Sequence, residues 1–412
     1  MLWKNRTFMR MFTAYGLSTL GDWFDFIAVS ILLGFVWKAE PMTIALLPLM
    51  YAGPGILFGQ FAGIYADRSN KLRLMILTDI IRAVLTGLLL LAPNPAWLLL
   101  LLCLRSSVRV FHTPAQEALT RQVVPADQLF KATTMNGTVF QLGKVLGPLL
   151  GGTLAASVSP FICLMVNACS FAVSAILLTS IGSVGETHDH GARKQQKQSI
   201  REAWKEGWLV ILRNRLLLAS TLFSLIGLMA IQLVDAQFSV LFREKAPNHP
   251  EIMGWTLSAI GIGALLTVAG LNRLSEIRSY GWLLGGGLLL IGLMFGWLGT
   301  FQPGSGFHWL LVASFVGGIG TGLSAVGSNF LRQKETPKEA IGRVTGIMES
   351  LSSGAFIIAP LIGGVCITLF GVSLTFQTIG FITAAIGAIG ILLQSVIWGR
   401  HPDAVKDVRA SA

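Results

Sequence analysis

Charge is what this sequence has least of. Its 412 residues include 31 Lys and Arg and 20 Asp and Glu, together 12%, where a soluble domain carries about 25%. So few ionic groups cannot cover a globule of this size for water, and the solvent that faces most of it must be lipid. With 53% hydrophobic residues, disorder, coiled coil and collagen are excluded. Cysteine is scarce too. Cys103, Cys163, Cys169 and Cys366 all fall inside apolar runs, which argues against a disulfide framework or a zinc site.

Other signals are missing. The nearest approach to a phosphate loop runs from Gly137 to Gly143-Lys144, with Val145 where Ser or Thr is required. No polar stretch is long enough for a nucleotide-binding domain, and no Ser/His/Asp or metal-hydrolase set stands out. The chain therefore reads as a non-enzyme with no cofactor and no metal site. Met1 to Arg10 is a basic flank without a cleavage site after it, so the first apolar run is expected to stay as an uncleaved anchor.

What the chain has is apolar length. Twelve runs of about 20 residues, enough to span a bilayer, lie near 12–36, 43–66, 74–92, 96–118, 133–157, 160–183, 216–241, 253–271, 280–300, 308–329, 343–369 and 372–397. With both termini in the cytoplasm, 24 of the 31 Lys and Arg fall in inner segments and only Lys38, Arg243 and Lys245 in outer ones. This is the positive-inside bias. It gives the net charge of +11 a topological cause, leaves no reason to expect nucleic acid, and points to a multi-pass protein of the inner (plasma) membrane with lipid around it. Glycine, at 46 residues, exceeds the usual ~7% and suits close helix packing in lipid.

The second half repeats the first. Gly143-x-x-x-Gly147-Pro148-x-x-Gly151-Gly152 in the fifth run matches Ala355-x-x-x-Ala359-Pro360-x-x-Gly363-Gly364 in the eleventh. Pro125-Ala-Asp127 and Pro337-Lys-Glu339 precede them, all at an offset of 212. The expected fold is all-α: twelve transmembrane helices in two pseudo-symmetric six-helix halves, 1–183 and 216–412. The halves are related by an axis along the membrane normal, with a midplane site between them. Residues 184–215 link them. Ser199 and Glu202 form a capping box there, and Ile200, Trp204, Trp208 and Ile211 share a face, predicting an interfacial helix. His188 and His190 read as a solvated linker.

Between the second and third runs stands Gly63-x-x-x-Asp67-Arg68-x-Asn70-Lys71-x-Arg73. The glycine would let two helices touch, and Asn70 would tolerate a left-handed turn. This resembles the cytoplasmic loop motif of the major facilitator superfamily, with Asn70 for its glycine, Leu72 for one basic residue, and Arg73 serving instead. The resemblance implies a gate that latches the second span to the eleventh through Asp67, Arg68, Lys71 and Arg73. Asn272, Arg273 and Arg278 look like its worn copy. The Gly143, Gly147, Pro148, Gly151, Gly152 run resembles the signature of drug/proton antiporters. Arg105-Ser-Ser, Phe111-His-Thr-Pro114-Ala115, Val124-Pro125 and Gly342-Arg343-Val344 narrow the likeness to macrolide-efflux exporters. It implies a monomeric, proton-driven secondary transporter that exports a small amphipathic compound by alternating access. Ser18-Thr-Leu-Gly21-Asp22 also resembles ferroportin-type metal exporters, and a lipid or lysolipid transporter would share the fold.

Nine ionisable residues lie within the runs: Asp22, Asp25, Asp79, Arg82, Arg105, Arg109, Lys144, Asp235 and Glu349. At roughly 2.5–3.5 kcal/mol each at a helix centre, they must face the interior, and most should pair. A rise of 1.5 Å per residue places Asp22, Arg105 and Lys144 near one depth, about 16–18 Å from the inner face, with Asp25 on the same face as Asp22. In the superfamily Arg105 matches a buried arginine linked to proton transfer. The expected coupling set is Asp22, Asp25, Arg105 and Lys144, with Arg105 or Lys144 moving against Asp22. Asp79 and Arg82 are expected to brace the Asp67 loop, Arg109 to join the inner gate, and Glu349 to serve the latch. Asp235 and Gln232 are assigned to substrate or an outer gate. Trp23, Phe24 and Phe26 read first as packing and second as a surface for a drug, and His112 reads as packing.

Overall fold

The computed structural model describes residues 2, 5–181, 200–271, 273, 279–302, 306–337 and 340–398. His188, His190, Ser199, Asn272 and Arg278 lie outside them, as does the side chain of Glu202, so the capping box and the worn loop copy are not described. The regular structure of the described residues is helical throughout.

In chain order the helices are α1 (Arg6–Ile31, continued by a π turn over Leu32–Val36), α2 (Pro41–Ala45), α3 (Leu47–Arg68), α4 (Lys71–Leu89), α5 (Pro95–Val123), α6 (Leu129–Ser157) and α7 (Pro160–Thr179). There follow α8 (Ile200–Arg213), α9 (Arg215–Asp235), α10 (Phe238–Lys245) and α11 (Glu251–Leu271). The last are α12 (Gly286–Thr300, after a π turn over Gly281–Gly285), α13 (His308–Glu335), α14 (Ile341–Phe370), α15 (Val372–Leu392) and α16 (Gln394–Ile397). Among the described residues, eleven stretches are long and apolar enough to cross a membrane. The twelfth span is α4, whose 19 residues include Lys71, Arg73, Asp79 and Arg82. The buried charges that mask α4 as a span are the ones that matter below.

The ends follow local chemistry. Prolines open α2, α5 and α7, where the missing N–H costs nothing. Asn94 and Ser159 cap α5 and α7 by accepting backbone N–H bonds. One boundary differs from expectation. The apolar run 216–241 breaks at Asp235, and α10 restarts three residues later, because a run of hydropathy does not record a change of direction.

The chain forms two compact units. The first is Met1–Arg193 with Phe238–Ser258, and the second is Lys194–Gln237 with Ala259–Ala412. In the first, α6 packs on α1 through its glycines. A β-carbon at Gly143 would meet Thr19 and Trp23 at 3.1 Å, Gly147 sits against Trp23, and Gly151 lies over Phe24. Gly152 meets Gly254 at the start of α11. In the same unit Arg243 of α10 donates to the carbonyls of Gly34 (3.3 Å) and Ala39 (2.9 Å) at the end of α1. In the second unit Gly363 of α14 lies against the Leu233 carbonyl of α9, the repeat of the α6–α1 packing.

The repeat extends to the caps. Asn5 caps α1 by accepting from Phe8 N at 3.0 Å and donates its own amide to the Val123 carbonyl at 2.7 Å. Asn214 caps α9 by accepting from Leu216 N and Leu217 N, and donates to the Glu335 carbonyl at 3.3 Å. Each asparagine ties the first helix of a repeat to the C-terminal end of its fourth. Asn5→Ala and Asn214→Ala should each cost about 0.5–2 kcal/mol, read as a lower melting temperature of the detergent-solubilised protein. Loss of the longer Asn214 bond should cost less than loss of the Asn5 bond.

The linker helix α8 docks by part of its apolar face. Ile211 is fully buried in a cluster with Leu217, Val344 and Ile347, and Trp208 packs against it. Trp204 stays half-exposed, its ring edge-on to Trp208. Glu206 pairs with Arg343. Of the face predicted from sequence, Trp208 and Ile211 dock on α9 and α14.

Candidate functional site

The ionisable residues of α1, α4 and α5 come together inside the first unit. Spacing on α4 explains part of this: Asp79, Arg82 and Thr86 recur at helical intervals and are all buried. Asp22 and Asp25 lie three apart on α1, as Arg105, Arg109 and His112 recur along α5.

Asp25 is completely buried and meets Arg105 in a two-pronged pair, with Nη1–Oδ1 and Nη2–Oδ2 both at 2.6 Å. Arg105 also donates to Thr86 Oγ1 at 3.2 Å, and the Tyr51 hydroxyl of α3 donates to Asp25 Oδ2 at 3.1 Å. The planar fork of guanidinium matches a carboxylate and satisfies both oxygens at once. Burial in this state is tolerable because neither charge is left alone.

Asp22 takes a different partner. Arg82 Nη2 lies 3.0 and 3.1 Å from its two oxygens, and Arg109 approaches at 3.7 Å. Asp22 keeps 23% of its side-chain surface exposed and Arg109 51%, against 4% for Arg82. Arg82 also sits 3.5 Å from Asp79, with its guanidinium carbon 3.9 Å from the centre of the Phe171 ring on α7. Asp79 accepts from Ser174 at 2.5 Å and faces His112 Nε2 at 3.3 Å. The result is two linked clusters. Tyr51, Asp25, Arg105 and Thr86 form the sealed one, and Arg109, Asp22, Arg82, Asp79, Ser174 and His112 form the partly open one.

Several expectations are corrected. Arg105 pairs with Asp25, not Asp22, because the face of α1 that carries Asp25 is turned to α5. Lys144 does not join the set: its side chain is exposed on α6, and among the described residues it makes no ion pair. The glycine face of α6 meets α1 at Gly143 and Gly147, which turns the neighbouring Lys144 outward. Asp79 and Arg82 do not brace the Asp67 loop but serve Asp22, Ser174 and His112. Arg109 belongs to Asp22, and His112 faces a carboxylate.

At the loop motif, Lys71 donates to the Asp67 carbonyl at 2.9 Å, a cation on the open C-terminal end of α3. Asp67, Arg68 and Arg73 are exposed. Asn70 is no left-handed turn residue. Its φ of −66° is ordinary, and it caps α4 by accepting from Arg73 N at 3.0 Å. Within its own unit nothing lies within 4 Å of a β-carbon at Gly63. Glu349 is exposed on α14. Gln232 is buried, and Asp235 ends α9. Trp23 packs on the α6 glycines and edge-on to Phe26, which lies 5.9 Å from the Tyr51 ring. Pro148 is buried inside α6.

Tyr51, Thr86, Ser174 and Phe171 were not singled out by sequence. Thr86 was accessible, standing four residues after Arg82 on its face of α4. Nothing in the apolar surroundings of Ser174 or Phe171 marks them.

Comparison with known proteins agrees with this architecture. The family description Major Facilitator Superfamily matches residues 11–245 and 245–411. The chain is 31% identical over 401 residues to the uncharacterized MFS-type transporter YfiS of Bacillus subtilis, covering 95% of this chain and 94% of that one. It is 23% identical over 369 residues to macrolide efflux protein A of Streptococcus pyogenes, covering 86% and 88%. The crystal structure of the nucleoside transporter NupG superposes with a TM-score of 0.68 at 14% identity, covering 97% of this chain and 100% of that one. At that identity the likeness shows the fold alone. With the repeated six-span pattern and a family match over nearly its whole length, this chain belongs to the Major Facilitator Superfamily.

Proposed function

We propose that the protein exports a small amphipathic compound of the macrolide or multidrug kind in exchange for protons, by alternating access. It works as a monomer in the inner membrane with both termini cytoplasmic. The observation that carries the reading is the partly open cluster around Asp22. Three acids (Asp22, Asp25, Asp79) face three arginines, Arg82 and Arg105 buried and Arg109 half-exposed, so the cluster is neutral and one proton adds a single charge to it.

Asp25 with Arg105 is the fixed pair, and Asp22 is the carboxylate that loads. It has solvent access, and its arginines approach from two helices. Protonating Asp22 releases Arg82 and Arg109, and substrate entry is coupled to that release. Relatives named for macrolide and multidrug efflux support the compound class. A divalent-metal exporter is disfavoured because guanidinium groups occupy both α1 acids, where a cation would need them free.

The test is an acidified everted vesicle containing the protein and a pH-quenched dye. Erythromycin, ethidium, a lysophospholipid or Mn²⁺ is added, with Asp22→Asn alongside. Erythromycin or ethidium should collapse the gradient, and Asp22→Asn should abolish the response while the protein remains in the membrane. A response to Mn²⁺ alone, to lysophospholipid alone, or to nothing would overturn the reading.

A further inference from the structure

One ionisable side chain in the cluster has no part in the exchange just described. His112 is buried on α5, and its Nε2 lies 3.3 Å from Asp79 Oδ1. Neither atom has a hydrogen-bond partner in this geometry, nor does Arg82 Nε. Unpartnered polar atoms facing each other in a buried site are costly, and a proton on the imidazole would turn the two into a charge-assisted pair.

We infer that His112, held against Asp79, is a second protonation site of the cluster, linked to Asp22 through Arg82. This deepens the proton-exchange reading of Asp22 and rests on it. His112 meets Asp79 of α4 directly. Through Asp79 and its partner Arg82 it adjoins Ser174 and the Phe171 ring of α7 and Asp22 of α1, which Arg109 of α5 also approaches. From α3 the ring of Tyr65 meets Phe111, the neighbour of His112. No acid or base of α3 or α6 makes an ion pair with His112 among the described residues.

The linkage follows from charge. With His112 neutral, Arg82 is divided between Asp22 at 3.0 Å and Asp79 at 3.5 Å. With His112 protonated, the imidazolium takes Asp79, and Arg82 is left to Asp22, whose carboxylate is then held ionised. One proton can sit at Asp22 or at His112, but two would leave the buried set with two excess positive charges. The sites therefore exclude each other. His112 lies seven residues beyond Arg105, about 10 Å nearer the Val123 end of α5. A proton leaving Asp22 toward that end therefore has a resting place one ion pair away.

The experiment uses the full chain, ¹⁵N-histidine labelled, in lipid nanodiscs, with the His112 resonance identified by its loss in His112→Gln. A pH series of its ring-nitrogen shifts reads when His112 gains a proton. Asp22→Asn removes a negative charge and should lower its midpoint by about one unit or more, a tenfold loss of proton affinity. Arg109→Gln, at a half-exposed position, should raise it. If Asp22→Asn does not fold, the sign of the Arg109→Gln shift decides. An unchanged midpoint in the variants, a shift of the wrong sign, or no protonation of His112 while the protein stays folded overturns the second site. No substrate is involved, so the outcomes separate. Drug-driven gradient collapse with an uncoupled His112 refutes this site alone, and a coupled His112 without collapse refutes the exchange alone.

Discussion

Arg105→Leu should leave little folded protein. Asp25 has no exposed surface, and without the guanidinium its charge keeps only the Tyr51 hydroxyl. Breaking a buried pair from one side costs about 3–5 kcal/mol, a large part of the ~5–15 kcal/mol that holds a domain together. The signature is partial recovery when the partner charge goes too: Asp25→Asn with Arg105→Gln should melt well above Arg105→Leu alone. Arg105→Lys should fall between wild type and Arg105→Leu, because a point charge cannot bond both carboxylate oxygens at once. Tyr51→Phe should cost only about 1 kcal/mol. Thermal melts in detergent rank the four variants. If Arg105→Leu melted like the wild type, the pair would be dispensable for the fold.

Gly147→Leu carries the second large effect. The place a side chain would take at Gly147 is filled by Trp23 of α1, so α6 and α1 must separate or Trp23 must move. Overpacking of this kind costs about 1–3 kcal/mol or more. The same helix supplies the control. Nothing lies within 4 Å of a β-carbon at Gly137, so Gly137→Leu should be close to neutral. Trp23→Ala should rescue Gly147→Leu by vacating the space. If Gly147→Leu and Gly137→Leu melted alike, the glycine face of α6 would not be the seam. The displacement would also reach the charge cluster, since Asp22 immediately precedes Trp23, and drug-driven gradient collapse should fall with stability.

Much of this was legible before any helix was placed. The shortage of charge required lipid, because so few ionic groups cannot solvate the chain. Apolar length gave the spans, even the twelfth, which the charges of α4 make the least apolar. The offset of 212 between the Gly143–Gly152 and Ala355–Gly364 runs gave the halves, since two copies of one packing surface need small residues at the same intervals. The price of charge in lipid required most of the nine intramembrane charges to pair, and Asp22, Asp25, Asp79, Arg82, Arg105 and Arg109 do, whereas Lys144 and Glu349 are exposed.

Which acid met which arginine was not in the sequence. Depth along a helix axis can be counted from its end at a fixed rise per residue, and by depth Asp22 and Arg105 were well matched. Pairing depends also on the rotation of each helix about its axis and on which helix stands beside it. Those are settled by packing: Trp23 lodged against Gly147 fixes how α1 is turned, sending Asp25 to Arg105 and Asp22 to Arg82, and directing Lys144 away from both. The same fact placed His112 on Asp79. Composition and periodicity determined what had to be buried. Only the turning of α1, α4 and α5 against one another decided the contacts, because a side chain's direction is a property of its helix's neighbours as well as of its position in the chain.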